Sequence, residues 1–377
     1  MRIIKSLFIA IVAAMFVTSC GTAAKKAAKA QEAEINRYKA EVLKIMEDAL
    51  VPALQVCYTT PQKKISFTVV NEKFYAEGDR AKYRNVEFNE KTLYEACSIS
   101  KLPLGYLACR MADQGRFDME KPLYEYRPDI LDLFEESEIE KAKTLTGRIC
   151  LTHTCGLDNK TYGKKPGKKG IVFKYPIGEY HYSGPGIYLV QLVLESLWGE
   201  TLDVYSAREL FKPLGMETTN YCWQPVNANL APYAFKKNGK PARIKRKRAN
   251  AAYTMNTTAE EFTKFMQYTL DGAGLSQEWY DQMLHRYVLC PRGDKSKKNA
   301  WRGLAWVIVD DPELGTVLYH TGSNGTGFKG NALALKEKKE TLVYFFNGHP
   351  HSSVHDRMTK LFFGNKESIS VFAPSSR

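Results

Sequence analysis

The chain has 377 residues, 44% hydrophobic and 25% charged, with a formal net charge of +13. The positive excess is gathered in short runs that carry turn or breaker residues, at 164–169, 243–248 and 295–298, and no nucleic-acid-binding module accompanies them, which excludes a nucleic-acid partner. The eight cysteines follow no zinc or disulfide-framework spacing, so neither a structural metal nor a disulfide scaffold is expected.

The N-terminus reads as a targeting segment. Arg2 and Lys5 precede an apolar run over 7–17 that is too short for a mature membrane span. Val17-Thr18-Ser19-Cys20-Gly21 resembles the lipobox of a bacterial lipoprotein signal, in which cleavage leaves Cys20 as the lipidated terminus. The expectation is a signal peptide over 1–19, a lipid anchor on Cys20 and an Ala- and Lys-rich tether over 20–32. Gly21 after the cysteine favours the outer membrane, facing the periplasm. No other transmembrane segment is visible. With Cys20 given to lipid, seven cysteines remain, and they are expected to be mostly reduced and buried.

Next comes an amphipathic helix over 34–49, with Ile35, Tyr38, Val42, Ile45 and Ala49 at helical spacing and Pro52 just beyond it. Short strands are expected at 54–58 and 65–70, then a polar stretch, then a helix from Ser98 to about 114 that Gly115 stops. From 121 to about 250, helical runs at 187–198 and 204–211 are separated by Gly- and Pro-rich loops. The segment 152–184 has little periodicity, and loops that long often carry function. Helices at 259–270 and 277–285 lead into four strand-like runs, 305–309, 317–320, 331–335 and 341–346. Their short polar turns predict an antiparallel meander. A helix at 354–362 and a polar tail over 366–377 close the chain. The economical fold class is α/β: one antiparallel sheet flanked by helices and built from both ends of the chain (33–118 and 255–365), with a helical region (119–254) inserted and a cleft where the two meet.

Ser98-Ile99-Ser100-Lys101 is the first chemical candidate. A three-residue spacing puts both side chains on one face of a helix, and a serine hydroxyl needs such a neighbour to act as a nucleophile. First-turn N–H groups can also serve an oxyanion hole. Tyr182-Ser183-Gly184, in a loop before a helix, supplies a phenol whose pKa a nearby lysine would lower, allowing it to act as a base. His320-Thr321-Gly322 ends one meander strand ahead of the turn Ser323-Asn324-Gly325.

In this order the three elements resemble the serine beta-lactamase-related family of class C beta-lactamases, D-alanyl-D-alanine carboxypeptidases and family VIII esterases. Leu151-Thr152-His153-Thr154-Cys155-Gly156-Leu157, Pro213-Leu214-Gly215-Met216, Asn256-Thr257-Thr258-Ala259-Glu260-Glu261 and Gly303-Leu304-Ala305-Trp306 are similar to further strings of that family. The resemblance runs from about residue 33 to 363. It implies a beta-lactamase/transpeptidase-like fold, Ser98 as nucleophile and Lys101 and Tyr182 as its proton partners. It also implies an oxyanion hole from the N–H groups of Ser98 and Ser323, with His320, Thr321 and Gly322 lining the substrate side. No metal or organic cofactor is implied; the expected partners are a small-molecule or peptide substrate and, through Cys20, the membrane.

Three departures stand out. Gly184 takes the place of the family's usual asparagine, His320 that of the lysine found in most lactamases, and Pro103 predicts a kink in the nucleophile helix. The first two weaken the case for efficient penicillin turnover and leave ester or amide hydrolysis open. The rival reading is a catalytically silent, penicillin-binding-like or cell-wall-binding lipoprotein that keeps the fold.

Overall fold

The structure, a computed structural model, describes residues 2–162, 170–225, 227–243, 245–290, 300–350 and 353–365, with side chains of the first helix from residue 25 onward. The lysine runs expected at 164–169 and 295–298, the tail 366–377 and the Cys20 side chain lie outside the described residues.

Eight antiparallel strands form the main sheet: β1 (Ala53–Thr59), β2 (Lys64–Val70), β3 (Val288–Cys290), β4 (Ala300–Arg302), β5 (Val307–Asp311), β6 (Gly315–Ser323), β7 (Lys329–Leu335) and β8 (Glu340–Phe346). Their spatial order is β2-β1-β8-β7-β6-β5-β4-β3. The two ends of the chain therefore meet in mid-sheet, where Leu54 pairs with Phe346 and Thr59 with Thr341. The Ala53 N–H is also bound to Asn347 Oδ1 at 2.9 Å. Strands β1 and β7 are buried along their whole length, as expected of strands covered on both faces. Edge strand β2 alternates buried and more exposed residues.

One face is covered by helices α1 (Arg2–Ala49) and α6 (Val354–Phe363), which pack through Tyr38 stacked on Phe362 at 4.7 Å. On the other face lie α2 (Lys101–Asp113), α4 (Ala259–Leu270) and α5 (Gln277–Met283). Helix α3 (Gly184–Trp198) and the loops of the inserted region share one continuous core with that second face. The start of α4 is set locally: the Thr258 hydroxyl accepts the Glu261 N–H, and two acidic residues occupy the first turn.

The antiparallel fold class with helices on both sides is as expected, and six of the seven described cysteines are buried. Several local readings differ. Helix α1 is continuous through the segment read as a tether, because Ala and Lys are strong helix formers even without an apolar stripe; residues 25–33 are exposed. The polar stretch after β2 contains a short helix, Glu72–Ala76, capped by Asn71, and a 3-10 segment, Gly78–Tyr83. Strands β3 and β4 were not expected. The run 243–248 is not wholly a solvated loop: Arg243 stacks over Trp223 and Tyr233, and Arg246 over Tyr253. Among the described residues, no helix is long and apolar enough to cross a membrane.

Candidate active site

Ser98 lies in a 3-10 turn, Cys97–Ser100, that runs directly into α2. The residue before it, Cys97, has φ of 52°, a left-handed conformation unusual for a side chain with a Cβ. Its surroundings hold it there: the thiol lies 3.3 Å from the Phe328 carbonyl and 3.4 Å from that of Glu95. Ser100, fully buried, accepts the Met255 N–H at 3.0 Å and donates to the Cys97 carbonyl. Ser98 itself stays half-buried and reachable. Pro103 is the third residue of α2, where a backbone N–H has no intrahelical acceptor to lose. A 3-10 turn lies directly ahead of the helix.

Lys101, at the first position of α2, is 1% exposed. Its Nζ lies 3.2 Å from Ser98 Oγ and donates to the Ala252 carbonyl at 2.5 Å. Burial, with the charge of Arg302 adding to it, pushes its pKa well below the ordinary lysine value, toward the uncharged form that can accept a proton.

Tyr182 reaches Ser98 from the loop ahead of α3, and its hydroxyl donates to Ser98 Oγ at 2.8 Å. The next residue, Ser183, caps α3 by accepting the Gly186 N–H, which fixes the loop's exit. On the other side the Tyr182 ring packs 4.4 Å from the His153 ring. His153, fully buried with φ of 61°, accepts the Ser183 N–H at Nδ1 at 3.1 Å. The expectation of a lowered phenol pKa is not met. Burial pushes Tyr182 up to about 12, outweighing Arg302 and the Ser98 hydrogen bond, and the same burial disfavours the charge on the neighbouring Lys101. The two shifts run in opposite senses: burial favours the uncharged amine of Lys101 and the protonated phenol of Tyr182.

The third element arrives on β6. Register with β5 ends at Tyr319, so from His320 to Ser323 the strand runs past that neighbour and leaves an edge toward the cleft. Gly322 is required there: a Cβ would collide with the Ala96 carbonyl and sit 3.3 Å from the Cys97 Cβ. The His320 ring is 6.3 Å from Tyr182. Burial, Arg302 and Lys101 hold His320 well below its usual pKa, so it is neutral and carries no charge to a substrate. By strand alternation Thr321 and Ser323 face the opposite side of the sheet from His320. Ser323 Oγ accepts from Lys329 Nζ at 2.6 Å.

Side chains of Ser98, Lys101, Tyr182 and His320 are thus brought together, while the Ser323 hydroxyl is engaged by Lys329. Two neighbours escaped the sequence reading. His153 was visible only as part of a quoted string. Arg302, beside the Gly303–Trp306 string, lies over the Tyr182 ring at 5.5 Å. At Gly184 the space for a side chain is taken by the Tyr162 hydroxyl, and the Gly184 N–H is bound to Asn159 Oδ1 at 2.7 Å. Among the described residues no three His, Cys, Asp or Glu side chains are grouped to hold a metal ion.

A family model described as beta-lactamase matches residues 41–362. Among solved structures, the chain is similar to a class C beta-lactamase mutant with a TM-score of 0.67 and 15% identity, covering 88% of this chain and 96% of the other. It is similar to a D-alanine carboxypeptidase from Burkholderia cenocepacia with a TM-score of 0.66 and 16% identity, covering 89% and 98%. It is also 28% identical over 178 residues to an N-acetylmuramyl-L-alanine amidase of Bacillus subtilis (strain 168), covering 42% of this chain and 40% of that protein's length.

Proposed function

The chain belongs to the beta-lactamase family, and from that premise we propose that it is a serine hydrolase working through an acyl-enzyme on Ser98. The observation that carries this reading is the position of Ser98 Oγ, 3.2 Å from the buried Lys101 amine and 2.8 Å from the Tyr182 hydroxyl. Lys101 takes the Ser98 proton as the oxygen attacks an acyl carbon. Tyr182 passes a proton toward the leaving group and then takes one from the water that releases the acyl chain. The N–H groups of Ser98 and Ser323 are assigned to the oxyanion.

The substrate class is an ester, an amide or a D-amino-acid peptide, with beta-lactams as its strained analogues. The name of the Bacillus subtilis relative supports wall-derived material, and the neutral His320 and blocked Gly184 position favour substrates other than penicillins. The lipobox-like string around Cys20 supports a place at the bacterial envelope, anchored through that residue.

Intact-mass analysis after exposure to a fluorophosphonate, and then to a panel of esters, D-Ala peptides and lactams, tests the reading. A covalent adduct that is lost in Ser98→Ala supports it. A folded protein that gives no adduct on Ser98 with any of them returns the case to a silent binding protein.

A further inference from the structure

One charge buried beside the cleft has no opposite charge next to it. Arg302, at the end of β4, is 3% exposed. Its guanidinium carbon lies 5.5 Å from the centre of the Tyr182 ring and 5.7 Å from that of Tyr180. Nη2 donates to the Tyr180 hydroxyl at 3.3 Å and Nη1 reaches the Ala305 carbonyl at 3.5 Å, while Nε has no hydrogen-bond partner. The groups facing it are Tyr180 and Tyr182 from the loop ahead of α3 and Cys290 from β3, and among the described residues no carboxylate is paired with it.

Burying a cation in this way is costly, and two aromatic faces offset only part of the cost. The field of Arg302 also reaches Lys101 on α2, His153 after the helix Gly147–Leu151, and His320 on β6. With the third motif's residue neutral, the fixed charge on this side of the cleft comes from β4 instead of β6.

We propose that Arg302 is a positioning residue of the site: its guanidinium carbon and Lys101 Nζ lie 5.5 Å and 4.9 Å from the centre of the same Tyr182 ring, and its permanent positive charge favours the uncharged, proton-accepting amine. The inference rests on the acyl-serine reading of Ser98. In that step the Ser98 O–H bond breaks, its proton passes to Lys101 Nζ, and the oxygen bonds to the acyl carbon. The ammonium so formed stands in the field of Arg302, which makes it a ready donor when the leaving group takes the proton. The same field favours negative charge on the Tyr182 oxygen.

The test is the pH dependence of Ser98 labelling by a fluorophosphonate in the wild type, Arg302→Lys, Arg302→Gln and Arg302→Met. Removing a positive neighbour raises the Lys101 pKa, so the acid limb of the profile moves to higher pH. We expect a shift of about one unit in the Gln and Met variants, read as labelling about tenfold slower at a fixed pH on that limb, with rates converging at high pH. Arg302→Lys keeps the wild-type limb. Because an uncompensated buried charge is removed, the two neutral variants should melt at or above the wild-type temperature. An unshifted limb in the folded neutral variants overturns the proposal. So does a shift in Arg302→Lys as large as in Arg302→Gln, or collapse of both neutral variants, which would make Arg302 a structural member. Absence of labelling on wild-type Ser98 at every pH is a different result: it removes the acyl-serine reading itself, and this inference with it.

Discussion

The Tyr162 hydroxyl occupies the space that a side chain on Gly184 would need. The ring of Tyr162 is held among Tyr188 at 6.1 Å and Tyr253 at 5.9 Å, so it cannot swing away freely. Gly184→Asn is therefore expected to destabilise the protein by about 2 kcal/mol through overpacking. Adding Tyr162→Ala should recover most of that loss, a coupling measurable by urea unfolding of the two single variants and the double. Additive single effects would show that the two residues do not compete.

Lys101→Ala and Tyr182→Phe should each slow the labelling of Ser98 by about a hundredfold or more, the usual scale for a lost proton-transfer partner. Lys101→Ala removes the only amine bound to Ser98 Oγ among the described residues; Tyr182→Phe keeps the ring against His153 and deletes one hydroxyl. A near-normal rate in either variant would remove that residue from the mechanism.

His355 on α6 gives stability a pH dependence far from the cleft. Its Nδ1 lies 2.7 Å from the Tyr344 hydroxyl, and burial, with Lys329 adding and Asp356 opposing, pushes its pKa from 6.5 down to about 4. The unfolded chain takes up a proton near pH 6.5 and the folded one only near 4, so stability is lost as the pH falls through that window. For His355 alone the loss is about 3 kcal/mol. His153 and His320, also held below their usual values by burial, act in the same direction. His355→Gln should flatten the fall in urea midpoint between about pH 6.5 and about pH 4. A slope equal to that of the wild type would show that His355 does not supply it.

Ala305 has φ of 70° where the resembling family string carries glycine. Its Cβ packs over Gly105, which leaves only 2.7 Å for a Cβ of its own. Ala305→Gly should stabilise the protein by about 1 kcal/mol by relieving the left-handed strain. A lower melting temperature would mean that the methyl contact outweighs the strain.

Cys20→Ser should move the protein from the membrane fraction to the soluble one and abolish the lipid mass on its N-terminal peptide. Unchanged membrane association would point to a retained apolar segment as the anchor.

Much of this arrangement was legible from pattern. The helix at 259–270 stands as read, because a capping threonine, two glutamates and a helical apolar period agree on its start and extent. Three of the four meander strands were read short, since Gly315, Thr316 and Lys329 look like turn residues while pairing as strand, and the first was read two residues early. Ser98, Lys101 and Tyr182 were legible because side-chain identity at fixed spacing carries that chemistry. Arg302 was not, because its strand is only three residues long and a lone arginine after Trp301 gives no sign that it is buried. Tyr162 lies in a segment with no period at all, so nothing in the sequence could pair it with Gly184. The phenol's pKa was misjudged because sequence gives proximity to a lysine but not the desolvation that neutralises both groups.

The hydrogen bond from Ala53 to Asn347 spans 294 residues. A chain that emerges N-terminus first therefore carries β1 and β2 for most of its synthesis as a hairpin whose β1 edge is open, and that edge is closed only when β8 arrives. The loop-closure entropy for this contact is met late. Until then the open edge is a surface that another chain could pair with, which makes the interval before the last strand appears the stage of greatest exposure to misassembly.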